Sequence, residues 1–417
     1  MILTREVSFE NAGTTLRGTL HVPARGTGRP GVVLVHGSGP GPRSSLTAHA
    51  EAFAREGIVA LTYDKRTEGY SVTRRDYGLL AADALAAVRL LAAQPETDRE
   101  RVGLWGFSEG GWVAPLAASR SDEIAYVVLV GASGLPPARQ QGWALETYLR
   151  RNGVRGAMVD ALAEVGIRQL AGAGLLAEAH HDGVPVLRTL RQPVLALWGQ
   201  HDTVVPPGES LLIFREALAG NDRNTLRVVP GADHGVCEPG QPAKLAPGYV
   251  EFVASWITGA PAAARSETSA VPPVQAVCSR TIDPLEWWES TGVQCAALAL
   301  FLIAFPGSLS RPAELDRVSR WAAVLGSVTV GGWIVYFLRI TVDEKPALGP
   351  TFGGRTLPWL ALQGTAAATV AATALTAVRA RRLWPRLPGT AKARLGLLIV
   401  GGLAMVPWGR YWRLLRR

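Results

Sequence analysis

A chain of 417 residues, 48 % hydrophobic and 18 % charged, is long enough for one large domain or two smaller ones. Its net charge of +9 is unevenly placed: of 43 Lys+Arg and 34 Asp+Glu, the stretch from Val293 onward holds 16 and 4, leaving 27 against 30 in the rest. That basic excess lies between and after apolar segments, where it meets lipid headgroups rather than nucleic acid, and three scattered cysteines, Cys237, Cys278 and Cys295, suggest neither a disulfide framework nor a zinc site.

The first residues, from Met1 to Phe9, lack a basic stretch followed by an apolar run, so no cleavable signal peptide is expected. Alternating residues at Glu6–Phe9 and Leu16–Val22, separated by Asn11-Ala12-Gly13, predict an antiparallel hairpin. The pattern then changes to short continuous apolar runs at Gly31–Val35, Ile58–Tyr63, Val102–Trp105, Tyr126–Val130, Val194–Trp198 and Leu226–Val229, with helix-length segments between most of them. Strands covered by helices on both faces have this signature, so the fold class is α/β with a mostly parallel sheet and an antiparallel start. The interval from Leu135 to Arg191 is too long for an ordinary crossover; helical stretches at Trp143–Arg150 and Met158–Leu170 predict a helical cap inserted over the sheet's C-terminal edge.

A helix around Gly248–Ile257 closes the first domain, residues 1–258, and a Pro/Ala-rich linker over 259–290 follows. Residues 291–417 form an all-α membrane region with apolar stretches at Val293–Leu309, Trp321–Val342, Leu357–Val378 and Leu395–Trp408. The middle two exceed the ~20 residues a spanning helix needs, the first is interrupted by Pro306 and the last is short, which leaves three or four spans. Trp287, Trp288, Trp321, Trp359, Trp408 and Trp412 at their borders suit an interface belt, and the alternative is a buried soluble helical domain. The strong segments hold no acidic residue, which argues against proton or ion transport. Arginines nearly balance on the two sides of such a bundle: Arg311, Arg317, Arg320 and the Arg379–Arg394 cluster oppose Arg280, Arg339, Lys345, Arg355 and the tail from Arg410. The dense cluster favours an N-terminal domain outside the cytoplasm and the missing signal peptide favours the cytoplasm; the second consideration is given the greater weight.

Gly106-Phe107-Ser108-Glu109-Gly110 matches G-x-S-x-G, a weak pattern by itself that gains force from a strand before it and a helix start after it. Gly106 and Gly110 fall where side chains would collide with neighbouring backbone, and the competing reading is a plain glycine turn. Hydrolysis at a serine needs a base, an orienting acid and donors for the oxyanion. Asp202 follows the strand Val194–Trp198 and His234 follows Leu226–Val229, so the order is Ser108, Asp202, His234. His36-Gly37-Ser38-Gly39-Pro40 follows the strand Gly31–Val35 and offers the Ser38 N–H, which with that of Glu109 forms an oxyanion hole; a phosphate loop is excluded because no Gly-Lys-Ser/Thr follows. Among competitors, His201 is expected to point away from Ser108, His180 and His181 fall in the insertion, and Asp233 is a poor partner for its own neighbour His234.

His36-Gly37-Ser38-Gly39-Pro40, Tyr63-Asp64-Lys65-Arg66, Gly106-Phe107-Ser108-Glu109-Gly110-Gly111-Trp112, Gly199-Gln200-His201-Asp202 and Asp233-His234-Gly235 together resemble the α/β-hydrolase superfamily, and within it bacterial serine esterases and serine aminopeptidase-like hydrolases. The resemblance covers about Met1 to Ile257 and departs at Thr67-Glu68-Gly69-Tyr70-Ser71, where relatives have a glycine-rich turn before the serine. It implies a serine hydrolase, with carboxylesterase chemistry on a small-molecule or lipid-like acyl substrate as the leading expectation. A peptidase, thioesterase or acyltransferase on the same residues, or a membrane-tethered module without catalysis, are the alternatives. No metal or organic cofactor is expected, the partners are membrane lipids, and the oligomeric state stays open.

Overall fold

The alternation in the first 23 residues becomes a hairpin of β1 (Ile2–Asn11) and β2 (Thr14–Pro23), turned by Ala12 at φ 49° and Gly13 at φ 75°. Two positive φ values at the centre of a two-residue turn match the right-handed twist of the strands they join. In this computed structural model residues 2–71, 73–259, 267–268, 271–309, 316–342 and 346–416 are described.

The continuous apolar runs form β3 (Arg29–Val35), β4 (Val59–Tyr63), β5 (Thr97–Phe107), β6 (Val127–Val130), β7 (Val194–Gly199) and β8 (Asn224–Val229). They build one sheet in the order β1-β2-β4-β3-β5-β6-β7-β8, extended at its edge by the two-residue strand β11 (Glu267–Thr268), while a small hairpin of β9 (Cys237–Glu238) and β10 (Gln241–Leu245) stands apart. Only β1, β2 and the β2–β4 pair are antiparallel; every later pairing in this sheet is parallel. The chain passes from β3 outward to β4 and then to β5 on the other side, so the strand order reverses at β3 and β5. Open α/β sheets form their binding crevice at the C-terminal ends of strands beside such a point.

The two faces of the sheet are covered by α1 (Thr47–Arg55), α2 (Tyr77–Ala92), α3 (Gly110–Ala118) and, later in the chain, α7 (Val184–Thr189), α8 (Pro207–Ala217) and α9 (Tyr249–Thr258), whereas α4 (Pro137–Arg151) opens the insertion. One core holds Val33, Leu61, Leu104 and Leu129 under α2 and α3, and the other holds Val32, Leu34, Val128 and Leu197 under α1 and α9. Successive side chains of one strand thus enter opposite cores, which is why the strands read as unbroken apolar runs.

The insertion is helical, with α5 (Ala157–Val159), a wider-turned segment Asp160–Gly166 and α6 (Ile167–Gly172) in one continuous run. The chain divides into two units, Met1–Ala144 with Gly174–Thr281, and Leu145–Ala173 with Ile282–Arg417. These boundaries differ from the expected 1–258, 259–290 and 291–417 in two respects. Leu145–Ala173 joins the C-terminal helices, because Leu149, Val154, Met158, Leu162 and Val165 are buried in one cluster with Trp333, Trp359, Leu398 and Trp412. Part of the expected linker packs within the first unit: Gln275 Oε1 accepts from the Gly208 and Glu209 N–H groups, and the Ser279 N–H and hydroxyl both bind Glu209 at 2.8 Å. Linker residues 260–266 and 269–270, with Arg311 and Lys345, lie outside the described residues.

In the second unit α10 (Thr291–Leu309), α11 (Arg317–Val342), α12 (Leu357–Leu383) and α13 (Gly389–Tyr411) are all long and apolar enough to cross a membrane; a short hairpin, β12 (Thr351–Phe352) and β13 (Arg355–Thr356), precedes α12. Pro306 and Pro407 sit inside helices near their C-terminal ends, so α10 is not cut short, and α13 begins well before the apolar stretch that marks it. Aliphatic side chains point outward, including Ile303, Val335, Leu338, Val378 and Leu403, while Thr369 and Thr373 are buried and donate to carbonyls one turn back. The helices meet at small residues: a Cβ on Gly402 would lie 2.1 Å from Thr373 Oγ1, and one on Gly401 2.6 Å from Ala304 Cβ.

Candidate active site

Ser108 occupies the turn between β5 and α3 with φ 52°, a left-handed conformation uncommon for a residue with a side chain. Its N–H donates to the Val130 carbonyl at 2.9 Å, and its own carbonyl accepts from the Gly111 N–H at 2.8 Å. A Cβ on Gly106 would lie 2.3 Å from the Gly110 carbonyl oxygen, and one on Gly110 2.7 Å from that of Val35. Gly111 meets Ala132 so closely that its Cβ would sit 2.4 Å from the Ala132 Cβ. Gly111→Ala is therefore expected to lower stability by about 1–3 kcal/mol, as overpacking does, read from the denaturation midpoint of the purified full chain; an unchanged midpoint would contradict the close packing.

Asp202 and His234 come from the loops after β7 and β8. His234 Nδ1 lies 2.8 Å from Asp202 Oδ2, and Asp202 Oδ1 accepts from the Val204 and Val205 N–H groups at 2.8 and 2.9 Å. Both carboxylate oxygens are thus fixed, with the Asp202 side chain 0 % exposed and that of His234 16 %. Gly131, at the end of β6 with φ 58°, gives the imidazole room, since a Cβ there would lie 2.9 Å from His234 Nδ1. The Phe107 ring packs against the imidazole with centroids 5.0 Å apart, so the residues on both sides of the β5–β6 strand ends hold His234 beside the Ser108 turn. Ser108 Oγ itself makes no hydrogen bond among the described residues; serine-to-imidazole bonds are often loose until substrate is present. Asp233 is occupied elsewhere, its Oδ1 capping the Gly235 and Cys237 N–H groups at 3.1 Å.

The loop after β3 reaches the same place. A Cβ on Gly37 would lie 3.0 Å from the Phe107 ring and 3.3 Å from Ser108 Cβ, so Ser38 stands in the loop that borders the serine. The Ser38 and Glu109 N–H groups have no partner among the described residues, whereas the next one, Gly39 N–H, donates to the Tyr70 hydroxyl at 3.0 Å. The Glu109 side chain turns away into the protein. Its carboxylate, 0 % exposed, lies 2.5 Å from Lys65 Nζ and 2.6 Å from Arg75 Nη1, whose side chains are 5 % and 11 % exposed, and it accepts from the Tyr70 hydroxyl at 3.0 Å. Lys65 Nζ also donates to the carbonyl of Gly37 at 2.6 Å, which joins the charged cluster to the loop carrying Ser38. Burial, with Arg75 beside it, draws the Lys65 pKa below its ordinary value although Glu109 opposes this.

Against known proteins, residues 70–260 match the sequence model of the prolyl oligopeptidase family. The quorum-quenching protein AidA of Acinetobacter baumannii is 30 % identical over 127 residues, 30 % of this chain and 42 % of that protein. Esterase EstD of Thermotoga maritima is 33 % identical over 156 residues, 34 % of this chain and 36 % of that protein. The chain thus spans less than half the length of either relative. Among solved structures, an esterase of Pyrococcus furiosus is 19 % identical with a TM-score of 0.45, covering 62 % of this chain and 93 % of that one. The sheet order and strand directions give the first unit the α/β-hydrolase fold, with a serine after β5, an aspartate after β7 and a histidine after β8.

The remaining motif residues act as staples. His36 Nε2 donates to the Tyr63 carbonyl at 2.6 Å, and burial lowers its pKa to about 4, so the ring is neutral and fixed away from proton transfer. Asp64 takes the Arg43 N–H and guanidinium at 2.8 Å each, and Arg66 binds Asp83 on α2 through two bonds of 2.5 and 2.6 Å. Sequence reasoning marked Tyr63-Asp64-Lys65-Arg66 as part of a pattern but missed Lys65, Tyr70 and Arg75 as supports of Glu109 and of the loop that carries Ser38. The signal was weak: Tyr70 lies in the stretch that departs from relatives, and Lys65 and Glu109 are 44 positions apart. His181 packs edge-on against Tyr77 with centroids 4.7 Å apart, in the wall of the core. Among the described residues no group of three or more His, Cys, Asp or Glu is arranged to hold a metal ion.

Proposed function

We propose that this chain is a membrane-anchored serine hydrolase that cleaves acyl esters through an acyl-enzyme. Ser108 Oγ attacks the acyl carbon as its proton passes to His234 Nε2, and Asp202 holds the ring in the required tautomer and stabilises its charged form. The Ser38 and Glu109 N–H groups receive the oxyanion, which collapses and expels the alcohol with the proton from His234. Water, deprotonated by His234, then releases the acid and restores Ser108. The observation that carries this reading is the 2.8 Å bond between His234 Nδ1 and an Asp202 carboxylate fixed on both oxygens. The left-handed Ser108 turn and the two free N–H groups support it.

Outward aliphatic and inward hydroxyl side chains in the four long helices support anchoring, since that pattern suits lipid as solvent. An anchored hydrolase meets acyl chains in the bilayer, and a lipid-like ester is the substrate class we favour. The prolyl oligopeptidase match favours a second reading, amide cleavage at the same serine.

Purified full chain assayed on p-nitrophenyl esters and aminoacyl anilides separates the two. Ester turnover, with a fluorophosphonate label mapping to the Ser108 peptide, is the expected result; anilide cleavage without ester turnover would replace it with a peptidase. No turnover and no label would leave a binding module without catalysis.

A further inference from the structure

The second unit contains a cavity of about 260 Å³ that the hydrolase chemistry does not use. Arg168, Arg410, Arg413 and Arg416 line it with Glu164 and Glu289. Arg168 and Glu289 neutralise each other through bonds of 3.1 and 2.6 Å, and Gln169 ties this wall to Tyr411 Oη at 2.6 Å and to the Glu289 carbonyl at 2.7 Å. Arg410, Arg413 and Arg416 have no carboxylate partner among the described residues. Arg413 is held with φ 60°, its Nε buried and unbonded, while Gln363 fixes the tail by donating to the carbonyl of Arg416 at 2.9 Å.

Four arginines share this lining with two acids, Glu164 and Glu289. The C-terminal end of α13 contributes only about half a negative charge, so the cavity stays positive. Arg410 and Arg416 are exposed, while half-buried Arg413 keeps a buried Nε without an acceptor, which is unfavourable, and the planar fork of a guanidinium matches the paired oxygens of a phosphate. The position indicates the source of that phosphate. Four spans return the chain to its starting side, so the N-terminal end of α10 and the C-terminal end of α13 share one membrane face. Trp288 and Tyr411 beside the cavity pack edge to face at 5.7 Å, as aromatic residues at headgroup depth do.

We propose that this cavity binds a phosphate group, supplied by the headgroup of an anionic membrane phospholipid. The site rests on the reading of α10 to α13 as membrane spans, which alkaline carbonate extraction of membranes tests separately; binding in detergent does not depend on it. The full chain in a nonionic detergent is titrated with dihexanoyl phosphatidylglycerol or inorganic phosphate, and retained ligand is measured by native mass spectrometry. Phosphatidylglycerol should bind wild type and the control Arg381→Gln/Arg382→Gln alike, and roughly tenfold more weakly to Arg413→Gln/Arg416→Gln, as loss of charge-assisted bonds implies. The single variant Arg416→Gln, at an exposed side chain, gives the same direction should the double variant not fold. Inorganic phosphate that binds alone and shows the same loss, with no gain from the glycerolipid, would keep the phosphate site and remove the lipid source. Equal lipid retention by both double variants, or none by wild type for either ligand, overturns the proposal.

Discussion

Asp202→Asn is expected to lower kcat by roughly 10⁴ while leaving the fold intact. Asparagine preserves the size of the side chain, and its amide oxygen can still accept from the Val204 and Val205 N–H groups. Its NH₂ then faces His234 Nδ1, where Asp202 Oδ2 now lies at 2.8 Å. A donor there forces Nδ1 to become the acceptor and places the ring proton on Nε2, the atom that must take the proton from Ser108. The imidazolium formed during attack also loses its counter-charge. Initial rates on a p-nitrophenyl ester, with the denaturation midpoint as the control for folding, check this. A loss below about tenfold with an unchanged midpoint would mean that Asp202 does not orient the base.

Much of this arrangement was legible because the information is local. The runs at Gly31–Val35, Val102–Trp105 and Val194–Trp198 are apolar at consecutive positions since alternate side chains enter different cores, and each appears as a strand. Gly106 and Gly110 are small because a backbone carbonyl stands within 3 Å of any Cβ there, so the pattern around Ser108 records sterics directly. Partner choice is not local. The helical face of Leu145–Ala173 shows that something must cover it, but only the folded chain shows that Trp333, Trp359 and Trp412 do so. Polar interruptions misled in a similar way: Lys392 and Arg394 lie inside α13 and shorten its apolar stretch, although long basic side chains near a helix end can extend toward water. Glu109 shows the same limit, because its place directly after Ser108 follows from the motif while its side chain answers to Lys65, Tyr70 and Arg75.

That cluster makes Glu109→Gln the second large effect. The substitution keeps shape and removes the one negative charge facing two buried cations, and breaking a buried ion pair on one side destabilises by roughly 3–5 kcal/mol. The deficit should depend on pH through Lys65, whose pKa in the folded chain is already lowered by burial and by Arg75 and is held up by Glu109. Without Glu109 it falls further. An amine whose folded pKa lies below its unfolded value opposes folding most when protonated, so the deficit is full below the folded pKa and shrinks as pH rises towards the unfolded value of about 10.4. Denaturation midpoints of wild type and variant across this range measure it, and a deficit that grew with pH would contradict the assignment to Lys65. Adding Lys65→Met to Glu109→Gln removes the stranded cation and should restore part of the loss, whereas simple additivity of the two substitutions would show that they do not interact. Activity separates support from chemistry: Lys65 also holds the Gly37 carbonyl at 2.6 Å, so the double variant regains stability but not the placement of the Ser38 N–H. Its kcat should stay about 10²-fold below wild type with KM little changed, the size expected when one oxyanion donor is misplaced.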